Sequence, residues 1–183
     1  MVNAQLLIQP IRPEQAAELS KLCRRIYPQY YTYLWDDAGN WYVEHVYNEA
    51  RLRAELADPN VRYFFAVLND ALVGYLKIKL SSDLNNEPGG FEVERIYFLR
   101  EAAGQGFGTQ LMEHAFGLAR ALNRRYVWLH VMDSSTDSIA FYRKLGFEPV
   151  GETWLPYQRM KPEFRRMWQM RKSLELPQRN GYT

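Results

Sequence analysis

Cysteine is the scarcest chemistry in this sequence. Cys23 is the single cysteine in 183 residues, so an intrachain disulfide is excluded and a reducing, cytoplasmic setting is expected. Cys23 falls on an apolar helical stripe and reads as a packed core thiol, since no base is assigned to it. Histidine is nearly as sparse. His45, His114 and His130 are scattered without ligand spacing, so no metal site is expected. A net charge of +2 leaves no basic excess for nucleic acid. No apolar run approaches the roughly 20 residues that cross a bilayer. The opening "MVNAQLLIQP" lacks the basic start and long apolar stretch of a signal peptide. Repeats, linkers and low-complexity blocks are missing too, which favours one domain over 1–172 and a flexible tail over 173–183.

What is present is rich in aromatics, with Tyr (13) and Trp (5) prominent, and is patterned as alternating elements. "LLIQPI" (6–11) reads as a strand, and "EQAAELSKLCRRI" after Pro13 as a helix with an apolar stripe. A further helical stretch ends at about Asp58, before Pro59. "RYFFAVLND-ALVGYLKIKL" reads as a hairpin turning at Asn69-Asp70, and "FEVERIYFL" (91–99) as a third strand after the turn "NNEPGG". A helix to about Asn123 carries Leu111, Met112, Ala115, Leu118, Ala119 and Leu122 on one stripe. "YVWLHV" (126–131) is a strand, "SSTDSIAFYRKLG" a helix stopped by Gly146, and 147–155 and 165–171 are closing strands. These elements imply a mixed α/β sheet.

Between strand and helix lies "AGQGFG" (103–108), with Gly104, Gly106 and Gly108 at alternate positions. A helix N-terminus has unpaired amides and roughly +0.5 of a charge. Glycines just before it let those amides converge on a phosphate. The residues therefore predict a phosphorylated ligand against the backbone of Ala103, Gly104, Gln105, Gly106, Phe107, Gly108 and Thr109. No Gly-Lys-Ser/Thr follows, which excludes a triphosphate loop. The glycine spacing also fails the dinucleotide fingerprint. The alternative is a turn whose glycines serve tight strand–helix packing.

Taken with "STDSIAFYRKLGF" (135–147), this turn resembles the GNAT superfamily of acetyl-CoA-dependent N-acetyltransferases. That family's signature is Arg/Gln-x-x-Gly-x-Gly/Ala, followed by an Asn-x-x-Ala-x-x-x-Tyr-x-x-x-Gly-Phe segment. The likeness is close over 91–150 and looser elsewhere, and it looks most like the branch that includes polyamine acetyltransferases. Ala103 stands where the family prefers Arg or Gln, Ser135 where Asn is common, and Ser138 where Ala is usual. The resemblance implies a mixed, mostly antiparallel sheet of six to seven strands flanked by helices. It further implies a cytoplasmic enzyme that uses acetyl-CoA and no metal, as a monomer or homodimer.

Acetyl transfer sets chemical demands. An amine like lysine is neutral in only about 1 in 2,500 molecules at pH 7, a cost of about 4.6 kcal/mol. A base must take its proton, and the leaving thiolate benefits from a donor. By resemblance, the backbone of Ile96, Tyr97 and Phe98 pairs with the cofactor's arm, Tyr142 protonates the sulfur, and Glu92 or Glu94 is the base. Ser135 lies at the cofactor, and Arg124, Arg125, Arg143 and Lys144 are candidates for its outer phosphates. Strand alternation places Glu92, Glu94, Ile96 and Phe98 on one face. The aromatic stretch 25–50 suits an amine acceptor, with Tyr31, Trp35, Asp36 and Trp41 as binding residues beside Asp37, Glu44 and Glu49. A small-molecule amine or polyamine, or a protein amine, fits such a site. A non-catalytic acetyl-CoA-binding module and a plain α/β interaction protein are the other two readings.

Overall fold

The computed structural model describes residues 6–175. Among them, strands β1 (Leu7–Pro10), β2 (Val61–Leu68), β3 (Ala71–Lys79), β4 (Gly90–Phe98), β5 (Tyr126–Met132), β6 (Glu148–Trp154) and β7 (Arg166–Ser173) form one sheet. Its order is β1-β2-β3-β4-β5-β7-β6. Neighbours are antiparallel except β4 and β5, which run parallel. The expected mixed, mostly antiparallel α/β architecture is what the chain adopts. Helices α1 (Ala16–Ile26), α2 (Asn40–Val46), α3 (Glu49–Ala57), α4 (Phe107–Ala121) and α5 (Thr136–Lys144) flank it.

Local chemistry explains most boundaries. Asn69 and Asp70 take φ of 48° and 62°, the left-handed pair that a tight hairpin turn requires. The single helical stretch expected before Asp58 is instead two helices. Asn48 divides them: its Oδ1 accepts from Arg51 N at 2.9 Å, capping α3, while its Nδ2 donates to the Glu44 and His45 carbonyls that end α2. The α4 stripe buries Leu111, Met112, Ala115 and Ala119 as expected, joined by Phe107 and Phe116. Leu118 of the expected stripe is half-buried, and Leu122 lies past the helix end and is 42% exposed. The expected tail starts too early, because Ser173 still belongs to β7 and Leu174 is buried; 1–5 and 176–183 lie outside the described residues.

One core lies between the sheet and α4–α5, built on Phe91, Val93, Val127, Leu129 and Val131. The other lies between the opposite face and α1–α3, built on Tyr63, Phe65, Tyr75 and Met132. Cys23 is fully buried in the second core, and burial pushes its thiol up to about 12. It is packing, not a nucleophile.

Two irregularities at the centre of the sheet create the site. The β4–β5 pairing covers only Gly90–Glu92 against Tyr126–Trp128. Beyond it, β4 stays with β3 as far as Phe98 and β5 stays with β7 as far as Met132. The two central strands therefore part like a wedge. Within β4, Lys77 faces Arg95 while Ile78 faces Val93, which leaves Glu94 as an unpaired bulge. A bulge reverses the alternation beyond it. Ile96 and Phe98 thus join Phe91 and Val93 on the α4 face, and Tyr97 turns to the α1 face. The expectation that Glu92, Glu94, Ile96 and Phe98 share a face fails for this reason.

Candidate active site

The turn before α4 is built by conformation. Gly104 and Gly106 have φ of 76° and 82°, and a Cβ on either would meet no atom within 4 Å. Their glycine identity therefore answers to backbone shape and leaves open space outside the turn. Gly108 answers to packing, since a Cβ there would sit 3.2 Å from Phe141 of α5. Among the described residues, the amides of Gly104, Gln105, Gly106, Phe107, Gly108 and Thr109 have no acceptor; the first helical bond outside them is Gln110 N to Gly106 O. Ala103 does not join this group, because its N–H donates to Arg100 O at 3.2 Å. Gln105 folds its side chain back, with Nε2 donating to Glu101 O at 3.0 Å. Convergent free amides at a helix head make an anion-ready nest.

Beside this turn opens the wedge. Leu99 N–H donates to Val73 O at 2.8 Å. Antiparallel alternation therefore aims the Tyr97 amide at β3 and the amides of Ile96 and Phe98 into the gap left by β5. Of the three expected backbone contacts, two face the wedge. A cavity of about 280 Å³ occupies it. Tyr142 and Ser138 of α5, with Ser135 just before it, wall it on one side, Glu92 to Tyr97 from β4, and His130 to Met132 from β5. Tyr142 is 8% exposed, and burial, reinforced by Tyr97, pushes its phenol above the usual tyrosine value.

The carboxylates of the cavity are engaged. Glu92, 4% exposed, meets Lys79 Nζ at 3.0 Å and accepts from Ser82 Oγ at 2.9 Å. Glu94 meets Lys77 Nζ at 2.6 Å, Lys79 Nζ at 3.1 Å and Arg95 at 3.4 Å. Burial alone would raise the Glu94 carboxyl, but Arg95, Lys77 and Lys79 together bring it down to about 2. Glu55 of α3 completes the cluster, 2.9 Å from Lys77 and bonded to Tyr63. Glu94 and Glu55, compensated in this way, hold geometry but bind protons weakly.

Of the aromatic residues expected at the acceptor end, Tyr31 and Trp35 line the cavity. Trp41 does not; it stacks on His45 behind Trp35. Asp36 is exposed, with its backbone tied to Arg159 O. Asp37 caps α2, Glu44 pairs with Arg24 and Glu49 with Arg53, all away from the cavity. Arg124 and Arg125 follow the far end of α4, a 15-residue helix, roughly 22 Å from the turn at 1.5 Å per residue. Arg143 and Lys144 remain exposed on α5. Tyr27 and Tyr42 of the same aromatic stretch also wall the acceptor end, with Tyr157, which carries no signal in the sequence. His130, which reads in the sequence as a packed strand residue, lines the cavity too. His130 becomes visible only once Trp128 is known to pair with Glu92, which brings that face of β5 beside the base candidates. No group of three or more His, Cys, Asp or Glu gathers as a metal site among the described residues. No helix among them is long and apolar enough to cross a membrane.

The fold is shared with solved acetyltransferases. The crystal structure of PaiA N-acetyltransferase from Thermoplasma acidophilum, in complex with coenzyme A, matches with a TM-score of 0.73 over 93% of this chain and 99% of that one, at 16% identity. The chain belongs to the acetyltransferase (GNAT) family, whose family model matches residues 21–147. An uncharacterized N-acetyltransferase in the pepI 3'region of Lactobacillus delbrueckii subsp. lactis is 31% identical over 113 residues, 61% of this chain and 65% of that protein. The N-alpha-acetyltransferase RimI of Mycobacterium tuberculosis is 31% identical over 102 residues, 56% of this chain and 61% of that protein. The chain thus spans less than two thirds of the length of these relatives.

Proposed function

We propose that the protein transfers an acetyl group from acetyl-CoA to a primary amine by direct attack inside the wedge. The observation that carries this reading is the run of unpartnered amides from Gly104 to Thr109 beside open space. They fit a diphosphate, with the positive end of α4 behind them. The amides of Ile96 and Phe98 then offer an unpaired strand edge to the pantetheine arm, and the thioester supplied by acetyl-CoA would lie toward Tyr142 and Ser135. Tyr142 is the general acid. Its phenol, pushed upward by burial, stays protonated at neutral pH and can give a proton to the departing sulfur. Of the two glutamates, Glu92 is the better placed to assist deprotonation, because Glu94 is committed to three cations.

The acceptor end favours an amine with one cationic head and an apolar body. Tyr27, Tyr31, Trp35, Tyr42 and Tyr157 present rings there, which suit an ammonium group by cation–π attraction. Both lining carboxylates are already paired, so a second ammonium would be buried without a counter-charge. A small monoamine or a lysine side chain fits this better than a polyamine.

Thermal unfolding with CoA, followed by an acceptor screen, tests the reading. Ligand at 100 times its Kd adds about 2.7 kcal/mol, a rise on the order of 5–11 °C for this size. No rise in millimolar CoA would overturn it. A rise without acetylation of any amine would leave a CoA-binding module.

A further inference from the structure

The two glutamates lining the cavity are held by lysine and arginine, yet the amine must lose a proton before it can attack. A third titratable group faces the same space. His130 lies on β5, on the face that also carries Trp128, the register partner of Glu92. It lines the cavity with Glu92, Glu94 and Tyr142. Its one hydrogen-bond contact among the described residues is Gln169 of β7, 3.4 Å from Nε2, and Nδ1 has none. The charged groups that act on it are Glu92 and Glu94 of β4 and Lys79 of β3. The Trp128 indole meets its ring in a T-shaped contact, 5.1 Å between ring centroids.

We propose that His130 is the group that takes the proton from the acceptor ammonium, with Glu92 stabilising the imidazolium that forms. The inference rests on the acetyl-transfer reading above. Burial lowers the imidazole's proton affinity, and the carboxylates raise it by less. The ring is therefore neutral at neutral pH and has a lone pair to offer, whereas Glu94 in its cationic clamp binds a proton weakly. The step balances as follows. The ammonium N–H breaks and its proton moves to an imidazole nitrogen. The freed nitrogen lone pair attacks the thioester carbonyl carbon, and the C–S bond breaks. Tyr142 gives its proton to the sulfur and regains one from the new amide nitrogen. Amine cation plus thioester thus yields amide, thiol and one proton, which leaves His130 for solvent.

The pH dependence of kcat/KM in His130→Asn and Glu92→Gln, beside the wild type, tests this. For His130→Asn the expected loss at pH 7 is on the order of 10²-fold or more. Activity should return by about tenfold per pH unit toward alkaline pH, as the amine deprotonates in solution. A merely structural defect would not show that return. In Glu92→Gln the acid limb should move to lower pH, since the imidazolium loses its counter-charge. CoA-induced thermal stabilisation reports whether each variant is folded. Should His130→Asn fail to fold, NMR titration of the wild-type imidazole replaces it, and its midpoint must coincide with the acid limb of kcat/KM. The proposal is overturned if folded His130→Asn keeps the wild-type profile within about threefold, or if the imidazole midpoint and the limb disagree. It is equally overturned if the limb survives in His130→Asn and vanishes in Glu92→Gln. If wild type lacks CoA stabilisation, the acetyl-transfer reading falls and takes His130 with it; the other outcomes remove His130 alone.

Discussion

Tyr142 is a buried side chain that borders the cavity and packs its ring against Phe141 and Phe147. Phenylalanine would keep that packing and lose only the O–H. Tyr142→Phe should therefore lower kcat by on the order of 10²-fold and leave CoA stabilisation near wild type. Undiminished turnover across pH would remove Tyr142 from the mechanism. The chemistry of single residues was partly legible in the sequence. Tyr142 and Glu92 could be proposed there only through the resemblance to the family's segments. The rivalry of Glu92 with Glu94 could not be resolved there, because the clamp on Glu94 comes from Lys77 and Lys79 on another strand.

At the scale of elements, the turn into α4 depends on backbone that L-residues resist. Gly106→Ala at φ 82° should cost about 1–2 kcal/mol. It should also weaken CoA binding, because the strain falls on the amides that would hold the diphosphate. Isothermal titration beside a melting curve separates the two effects; unchanged affinity in a folded variant would contradict the proposed cradle. The ion cluster joins α3 to β3 and β4 in the same way, with Lys77, 4% exposed, bridging Glu55 and Glu94. Lys77→Met leaves those carboxylates undercompensated and should cost about 3 kcal/mol. That corresponds to a melting-point drop of roughly 6–12 °C; a drop under 2 °C, taken as roughly the effect of less than 1 kcal/mol, would show the cluster to be energetically idle.

For the whole molecule, the same cluster sets the response to acid. Glu94 falls to about 2 from an ordinary value of 4.5, and Glu55 is also lowered. A depressed carboxyl contributes stability that is complete above its unfolded value and disappears as pH falls through its folded one. Stability should therefore decline between about pH 4.5 and 2. The decline should be shallower in Glu94→Gln, as measured by urea midpoints across that range. Parallel slopes in the two proteins would assign acid sensitivity to other groups.

The sequence by itself determined the class of fold, the hairpin at Asn69-Asp70 and the glycine turn before α4, because each is written in short-range spacing or local φ preference. Tertiary structure alone decided the rest. The bulge at Glu94 reversed the strand's alternation, and the parting of β4 from β5 placed His130 opposite the glutamates. It also drew Tyr27, Tyr42 and Tyr157 to the cavity while sending Asp36 and Trp41 elsewhere. Such outcomes depend on register between strands far apart in the chain, and register is fixed by the packing of both sheet faces at once.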